Sequence, residues 1–263
     1  MNWVIITTLI LLVIVGIEIL TSPEAKGRAG EEKIYTILER LEGHKRILAN
    51  CYLPNGNSGT TEIDLILLHE TGIYVFESKN YSGWIFGRED QQFWTETFRG
   101  ANSKAQKQYF YNPLWQNTTH IRALRRVLKD RKNPYYSYIV FGNDCEFKNV
   151  ELTSGKHIVT KRRYLRRDLL HQMGQTKPCM TAGEIDAIYD TLCLFANADE
   201  EQKEQHIESI MQKQVPVVGE NGMWYCPRCG GQLVRRISQR GNFAGREFWG
   251  CSNYPRCHFI YNP

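Results

Sequence analysis

The chain has 263 residues, 42% hydrophobic and 23% charged, with a formal net charge of +5. This is the composition of an ordinary globular protein, which excludes a disordered chain, and the length allows one sizeable core plus small additions. The mild basic excess permits a polyanionic partner without demanding one.

Trp3 to Leu20 is nearly continuous apolar sequence. At 1.5 Å per helical residue it reaches about 27 Å, enough for a slightly thinned bilayer. Glu18 interrupts it near the end, where a carboxylate can reach the headgroups. A signal peptide and a buried core helix are the competing readings. The first lacks a basic leader and a small-residue cleavage site. Lys26 and Arg28 follow the run and nothing basic precedes it beyond the terminal amine. Residues 1–22 are therefore expected to be a single-pass anchor in the inner or plasma membrane, with the C-terminal bulk in the cytoplasm.

Beyond Pro23 and Gly27, the residues Ile34, Ile37, Leu38 and Leu41 predict an amphipathic helix over 31–41, with Glu31 and Glu32 in its first turn. Ile47 to Leu53 reads as a strand and Pro54 to Thr60 as a loop. Two apolar runs then flank a tight turn at Glu70-Thr-Gly72. The first carries Asp64 and the second ends Glu77-Ser-Lys79. Alternation puts Glu77 and Lys79 on one face, and a hairpin brings Asp64 near Glu77. Short strands continue to Phe98.

Residues 101–111 and 114–128 are expected to be helical, parted by Asn112-Pro113, and Gln116 and His120 share a face of the second. Tyr136 to Phe141 is a strand. Lys161, Arg162, Arg163, Arg166 and Arg167 form the densest basic run; such runs are usually solvated faces, with phosphate contact as the alternative. A last helix starts at Thr181 with Glu184 as its capping-box partner. The polar stretch 196–220 reads as a linker.

The cysteines divide into two groups. Cys51, Cys145, Cys179 and Cys193 are scattered, as buried small residues in a reducing compartment would be. Cys226, Cys229, Cys251 and Cys257 form two knuckles, the pattern of a tetrahedral Zn2+ site able to fold about forty coreless residues. His258 is a bystander on this reading. The run Phe248-Trp-Gly-Cys-Ser-Asn-Tyr-Pro-Arg-Cys-His-Phe259 resembles the C-terminal zinc ribbons of type IA topoisomerases. The resemblance covers 221–263 and implies a grip on single-stranded DNA. Aromatic residues Phe243, Phe248, Trp249 and Tyr254 would stack bases beside Arg228, Arg240, Arg246 and Arg256. Two or three of the aromatics are expected to pack the ribbon core instead.

Phosphodiester cleavage needs a divalent ion that polarises the phosphoryl group and yields hydroxide near neutral pH. Magnesium is satisfied by one or two carboxylates plus waters and phosphate oxygens. Asp64 and Glu77 suit that role, with Lys79 orienting water or stabilising developing charge. The plain alternative is a salt bridge on a solvent-facing sheet. Several motifs then line up in order: Lys26-Gly27…Gly30-Glu31, Glu62-Ile-Asp64, Glu77-Ser-Lys79-Asn80-Tyr81-Ser-Gly83, Trp94, and Asn112-Pro113…Gln116-Asn117…His120-Ile121…Leu124. Together they resemble the nuclease-related domain (NERD) of the PD-(D/E)XK nucleases. Glu62 replaces a commoner Gln, and Ser78 a usual Thr.

That resemblance spans 26–128 within a domain of 26–195. It implies an α/β fold with a mixed central sheet flanked by helices. It also implies a catalytic set of Glu31, Asp64, Glu77, Lys79 and Gln116, with Mg2+ or Mn2+ on Asp64 and Glu77. The leading expectation is a membrane-anchored, metal-dependent DNA endonuclease whose ribbon holds single-stranded or distorted DNA. The alternatives are a non-catalytic DNA tether on a nuclease fold and a protein-interaction adaptor.

Overall fold

The computed structural model describes residues 23–56, 59–99, 105–129, 132–196, 216–219, 222–226, 230–238, 245, 247–254 and 259–261. The expected anchor at 1–22 and most of the expected linker lie outside these residues. Among the described residues no helix is long and apolar enough to cross a membrane. The chain divides into two compact units, 1–198 and 199–263.

In chain order the first unit contains α1 (Pro23–Glu39), β1 (Lys45–Pro54), β2 (Thr60–His69), β3 (Gly72–Lys79), β4 (Trp84–Arg88), β5 (Phe93–Arg99) and β6 (Ala105–Tyr111). It continues with α2 (Pro113–Leu128), β7 (Tyr135–Phe141), β8 (Glu146–Glu151), β9 (His157–Lys161), a 3-10 turn (Arg162–Tyr164), α3 (Leu165–Gly174) and α4 (Ala182–Ala196). The central sheet runs β1-β2-β3-β7-β9: antiparallel through β3, then parallel. It is a mixed α/β arrangement, helices on both faces, as expected.

The apolar pattern dictates those layers. Ile34 and Leu38 of α1 pack with Leu65, Leu67, Tyr74, Phe76 and Tyr138, and Leu165 and Leu169 of α3 close the same face. The opposite face sets Leu48, Ile66, Leu68, Ile73 and Val75 against Ala123 and Leu124 of α2 and Ile185 and Leu192 of α4. The β2–β3 hairpin closes through the His69–Gly72 pair. At Gly72, with φ +136°, a Cβ would meet the Pro134 carbonyl at 2.8 Å, so only glycine fits. The capping box forms as expected: Glu184 accepts from the Thr181 amide at 2.8 Å, and the Thr181 hydroxyl accepts from the Glu184 amide at 3.3 Å.

One expectation is corrected. Residues 105–111, read as helix, are strand β6, paired with β5 in the register Phe93–Tyr111 to Arg99–Ala105. Ala105 and Tyr109 are four apart and imitate a helical stripe, yet both are exposed and Phe110 points to the core. Tertiary pairing overrides local pattern here. The strand completes a second sheet, β6-β5-β4-β8, that the sequence does not announce. Its inner residues Ile85, Trp94 and Phe110 join Leu114 of α2 and Ile139 and Phe141 of β7.

The second unit holds β10 (Val217–Val218), β11 (Trp224–Tyr225), β12 (Leu233–Ile237), β13 (Glu247–Cys251) and β14 (Ile260–Tyr261). Cys226, Leu233, Cys251 and Phe259 form its small core, with Trp224, Trp249 and Tyr261 packed around them. Of the scattered cysteines, Cys51 and Cys145 are buried as expected; Cys193 is half-buried and Cys179 exposed, because it lies in the segment leading to α4.

Candidate functional site

The hairpin ladder ends at the Leu65–Phe76 pair, one step before Asp64 and Glu77. A left-handed residue sits at this point. Asn50, φ +51°, falls between the pairs Ala49–Leu65 and Cys51–Ile63, and so lies opposite Asp64. The side-chain alternation breaks there: Leu65 packs on the α1 side, whereas Ile63 packs on the α2/α4 side. Asparagine tolerates left-handed backbone, and a break of this kind re-aims the side chain beside it. The Asp64 carboxylate accepts from the Ser78 amide at 2.7 Å, which ties β2 to the end of β3.

Glu77 is 1% exposed, so the surface salt-bridge alternative falls away. Lys79 Nζ lies 2.6 Å from its Oε1 and His120 Nε2 2.9 Å from its Oε2. Lys79 also donates to Gln116 Oε1 at 3.2 Å. On the far side of its ring, His120 Nδ1 is 2.8 Å from the Thr61 hydroxyl. In the tautomer that gives Nε2–H to the carboxylate, Nδ1 accepts from the Thr61 hydroxyl. Helix α2 delivers Gln116 and His120 together because they are four residues apart. Its start is fixed by Asn112, whose side chain accepts from the Leu114 amide and donates to the Gln91 carbonyl at 2.6 Å.

The electrostatics separate the two carboxylates. Burial, and then the Glu77 charge, push Asp64 well above the usual carboxylate range, against the pull of Lys79 and the Ser78 amide. Burial also acts to raise Glu77, but Lys79 and His120 prevail and hold it below its ordinary value. Lys79, which burial would lower, is held up by Glu77 and Asp64. Glu31 of α1 is raised by burial and by the charges of Glu62 and Glu77. Glu77 therefore contributes fold stability above the ordinary carboxylate range that is lost as pH falls. Asp64 costs stability as pH rises from that range toward its own raised value.

The structure thus brings Asp64, Glu77, Lys79 and Gln116 together and sets Glu31 within electrostatic reach. Among the described residues no three His, Cys, Asp or Glu side chains converge as a metal cage. The donor set is two carboxylates, one of them raised by burial and by its neighbour's charge, which fits an ion that keeps waters and substrate oxygens as its other ligands. His120 belongs to the site although sequence reasoning left it outside the catalytic set; its spacing from Gln116 was the available signal. Glu96 was missed as well. Buried on β5, its Oε1 accepts from the Ser82 and Gly83 amides at 3.0 and 2.8 Å and shapes the turn after Lys79.

In the ribbon, Cys226 and Cys251 are buried in one cluster. The Cys226 carbonyl accepts from the amide of Gly230 (φ +70°), and the Cys226 amide donates to the Gly231 carbonyl, a tight knuckle around the first thiol. Cys229, Cys257, Arg228, Arg240, Phe243, Arg246 and Arg256 lie outside the described residues. Of the expected stacking residues, Trp249 packs on Trp224 with centroids 5.0 Å apart, Phe248 is half-buried, and Tyr254 is exposed beneath Arg236.

Residues 26–142 match the family model of the nuclease-related domain, and residues 224–263 that of the topoisomerase DNA-binding C4 zinc finger. An uncharacterized protein of Bacillus anthracis is 31% identical over 193 residues, 73% of this chain and 86% of that protein. DNA topoisomerase 1 of Archaeoglobus fulgidus is 59% identical over 34 residues, 13% of this chain and 4% of that enzyme. DNA topoisomerase 1 of Pyrococcus horikoshii is 34% identical over 67 residues, 24% of this chain and 9% of that enzyme. No solved structure matches the chain.

Proposed function

Since the chain belongs to the nuclease-related-domain family and carries a topoisomerase-type zinc ribbon, we propose that it is a membrane-anchored, divalent-metal-dependent DNA nuclease. The observation that carries this reading is the approach of Asp64 to Glu77 at the C-terminal end of β3, with Lys79 between Glu77 and Gln116. Mg2+ or Mn2+ held by Asp64 and Glu77 would supply Lewis acidity toward a phosphoryl oxygen and a hydroxide near neutral pH. Lys79 Nζ would stabilise charge developing on the phosphoryl oxygens. Gln116 orients that amine, and His120, fixed by Thr61, keeps Glu77 ionised. Glu31 is assigned a supporting role near the same charges. The ribbon, with Zn2+ on Cys226, Cys229, Cys251 and Cys257, would hold single-stranded or distorted DNA through Arg228, Arg240, Phe243, Arg246, Phe248, Trp249, Tyr254 and Arg256. The anchor rests on the apolar run of residues 3–20.

A non-catalytic DNA tether is the second reading, favoured by one detail: Lys79 and His120 already engage both oxygens of Glu77. A chain lacking residues 1–22 tests both readings against supercoiled, linear and single-stranded DNA. It is expected in the soluble fraction and to cleave only with magnesium or manganese. Retention in the membrane fraction removes the anchor; DNA binding without cleavage selects the tether.

Loss of His120 should act through Glu77. His120→Ala is expected to slow cleavage by about 10- to 100-fold. Because His120 lowers the Glu77 pKa, its loss should also move the acid limb of the pH–rate profile to higher pH. An unmoved acid limb would remove His120 from this role.

A further inference from the structure

We propose that the basic elbow from Lys161 to Arg167 grips the phosphodiester backbone of the nucleic-acid strand whose next phosphates enter the carboxylate site. This rests on the nuclease reading above and assigns a second DNA contact, within the first unit itself.

Three observations carry it. First, the elbow begins at the same C-terminal end of the parallel strands at which Glu77 and Lys79 lie. Lys79 pairs with Phe141, and Phe141 with Lys161, so the two lysines share one row across three parallel strands. Two strand spacings are about 10 Å, the axial length of about three stacked nucleotides. In sheets with parallel strands, ligands gather beyond the carboxyl ends of those strands.

Second, the elbow is fixed to the site by backbone contacts. The Arg163 amide donates to Asn143 Oδ1 at 2.8 Å, and the adjacent Gly142 amide donates to the Lys79 carbonyl at 2.9 Å. A side chain at Gly142 would meet Asn80 Oδ1 at 2.9 Å, so the end of β7 lies directly on the residue after Lys79.

Third, the charges are open. Arg163 and Arg166 are exposed, and among the described residues no carboxylate pairs with Arg162, Arg163 or Arg166; Asp168 holds Arg167 alone. Tyr164, 40% exposed, lies between the guanidinium groups of Arg163 and Arg167 at 4.9 and 4.8 Å from its ring centre. A cation cluster around an aromatic ring suits a phosphate track with a base beside it. An anionic membrane would offer the same charge, but it gives no reason for the row shared with Lys79.

The test uses the full chain in detergent micelles, with a fluorescent single-stranded oligonucleotide bound across a salt series without added magnesium or manganese. Arg163→Gln with Arg166→Gln is expected to weaken binding and to flatten the slope of log affinity against log salt by about 1.4, some 0.7 per lost contact. Arg163→Lys with Arg166→Lys, which keeps the charge, should restore the slope. A slope unchanged in the glutamine pair overturns the proposal, as does a lysine pair that behaves like it. Unchanged oligonucleotide binding alongside lost binding to phosphatidylserine vesicles assigns the elbow to lipid and likewise overturns it. Because the readout is binding, a protein that binds but never cleaves would defeat the nuclease reading and leave the elbow standing.

Discussion

Asp64→Ala and Glu77→Ala are each expected to reduce metal-dependent DNA cleavage by on the order of 10³-fold or more, the scale set by losing preorganised charge stabilisation. On the proposed reading, either change would leave a single carboxylate to hold the ion. The two variants should differ in stability. Removing Asp64 deletes a carboxyl raised by burial and by its neighbour, so the metal-free fold should be as stable or more so. Removing Glu77 strands Lys79 and His120 without their shared partner and should destabilise it. Oligonucleotide binding through the ribbon should survive in both. Plasmid nicking at wild-type rates in both variants would take the active site away from this hairpin.

Trp94→Ala is expected to cost about 3–5 kcal/mol of folding stability, read as a lower denaturation midpoint with little change in slope. Trp94 is fully buried, stacks on Phe141 and donates from its indole to the Arg88 carbonyl at 3.0 Å. Gly87 packs against its ring so closely that a Cβ would come within 2.1 Å of it. Gly87→Ala should therefore destabilise by the same route, overpacking instead of emptying the same space. The indole joins the second sheet to β7, and so supports the turn that carries Asn80 and Tyr81. A midpoint unchanged by Trp94→Ala would mean the second sheet contributes little to this unit.

The hairpin was legible because period-two alternation and the turn at Glu70-Thr-Gly72 fix its register, and with it the approach of Asp64 to Glu77. Helix α2 was legible from Asn112-Pro113 and its apolar stripe. Strand β6 was not, because the four-residue spacing of Ala105 and Tyr109 imitates a helical stripe and its conformation is owed to pairing with β5. The role of His120 needed three dimensions: its partners Thr61 and Glu77 lie 59 and 43 residues away. Asn50 was equally silent, since nothing in its neighbours in sequence marks a left-handed residue opposite Asp64. The family motifs located the centre, whereas the protonation contrast between its two carboxylates came from burial and geometry.

That long reach has a consequence for biosynthesis. Glu77 is held by a histidine 43 residues downstream, and Lys79 by a glutamine 37 residues downstream. A growing chain that has released only the hairpin therefore carries two acids and an amine without the helix that orders them. The centre closes only after residue 120 has emerged, long after the apolar run at residues 3–20. A chain released in this order acquires the histidine and glutamine partners of Glu77 and Lys79 only when α2 can fold back onto the hairpin.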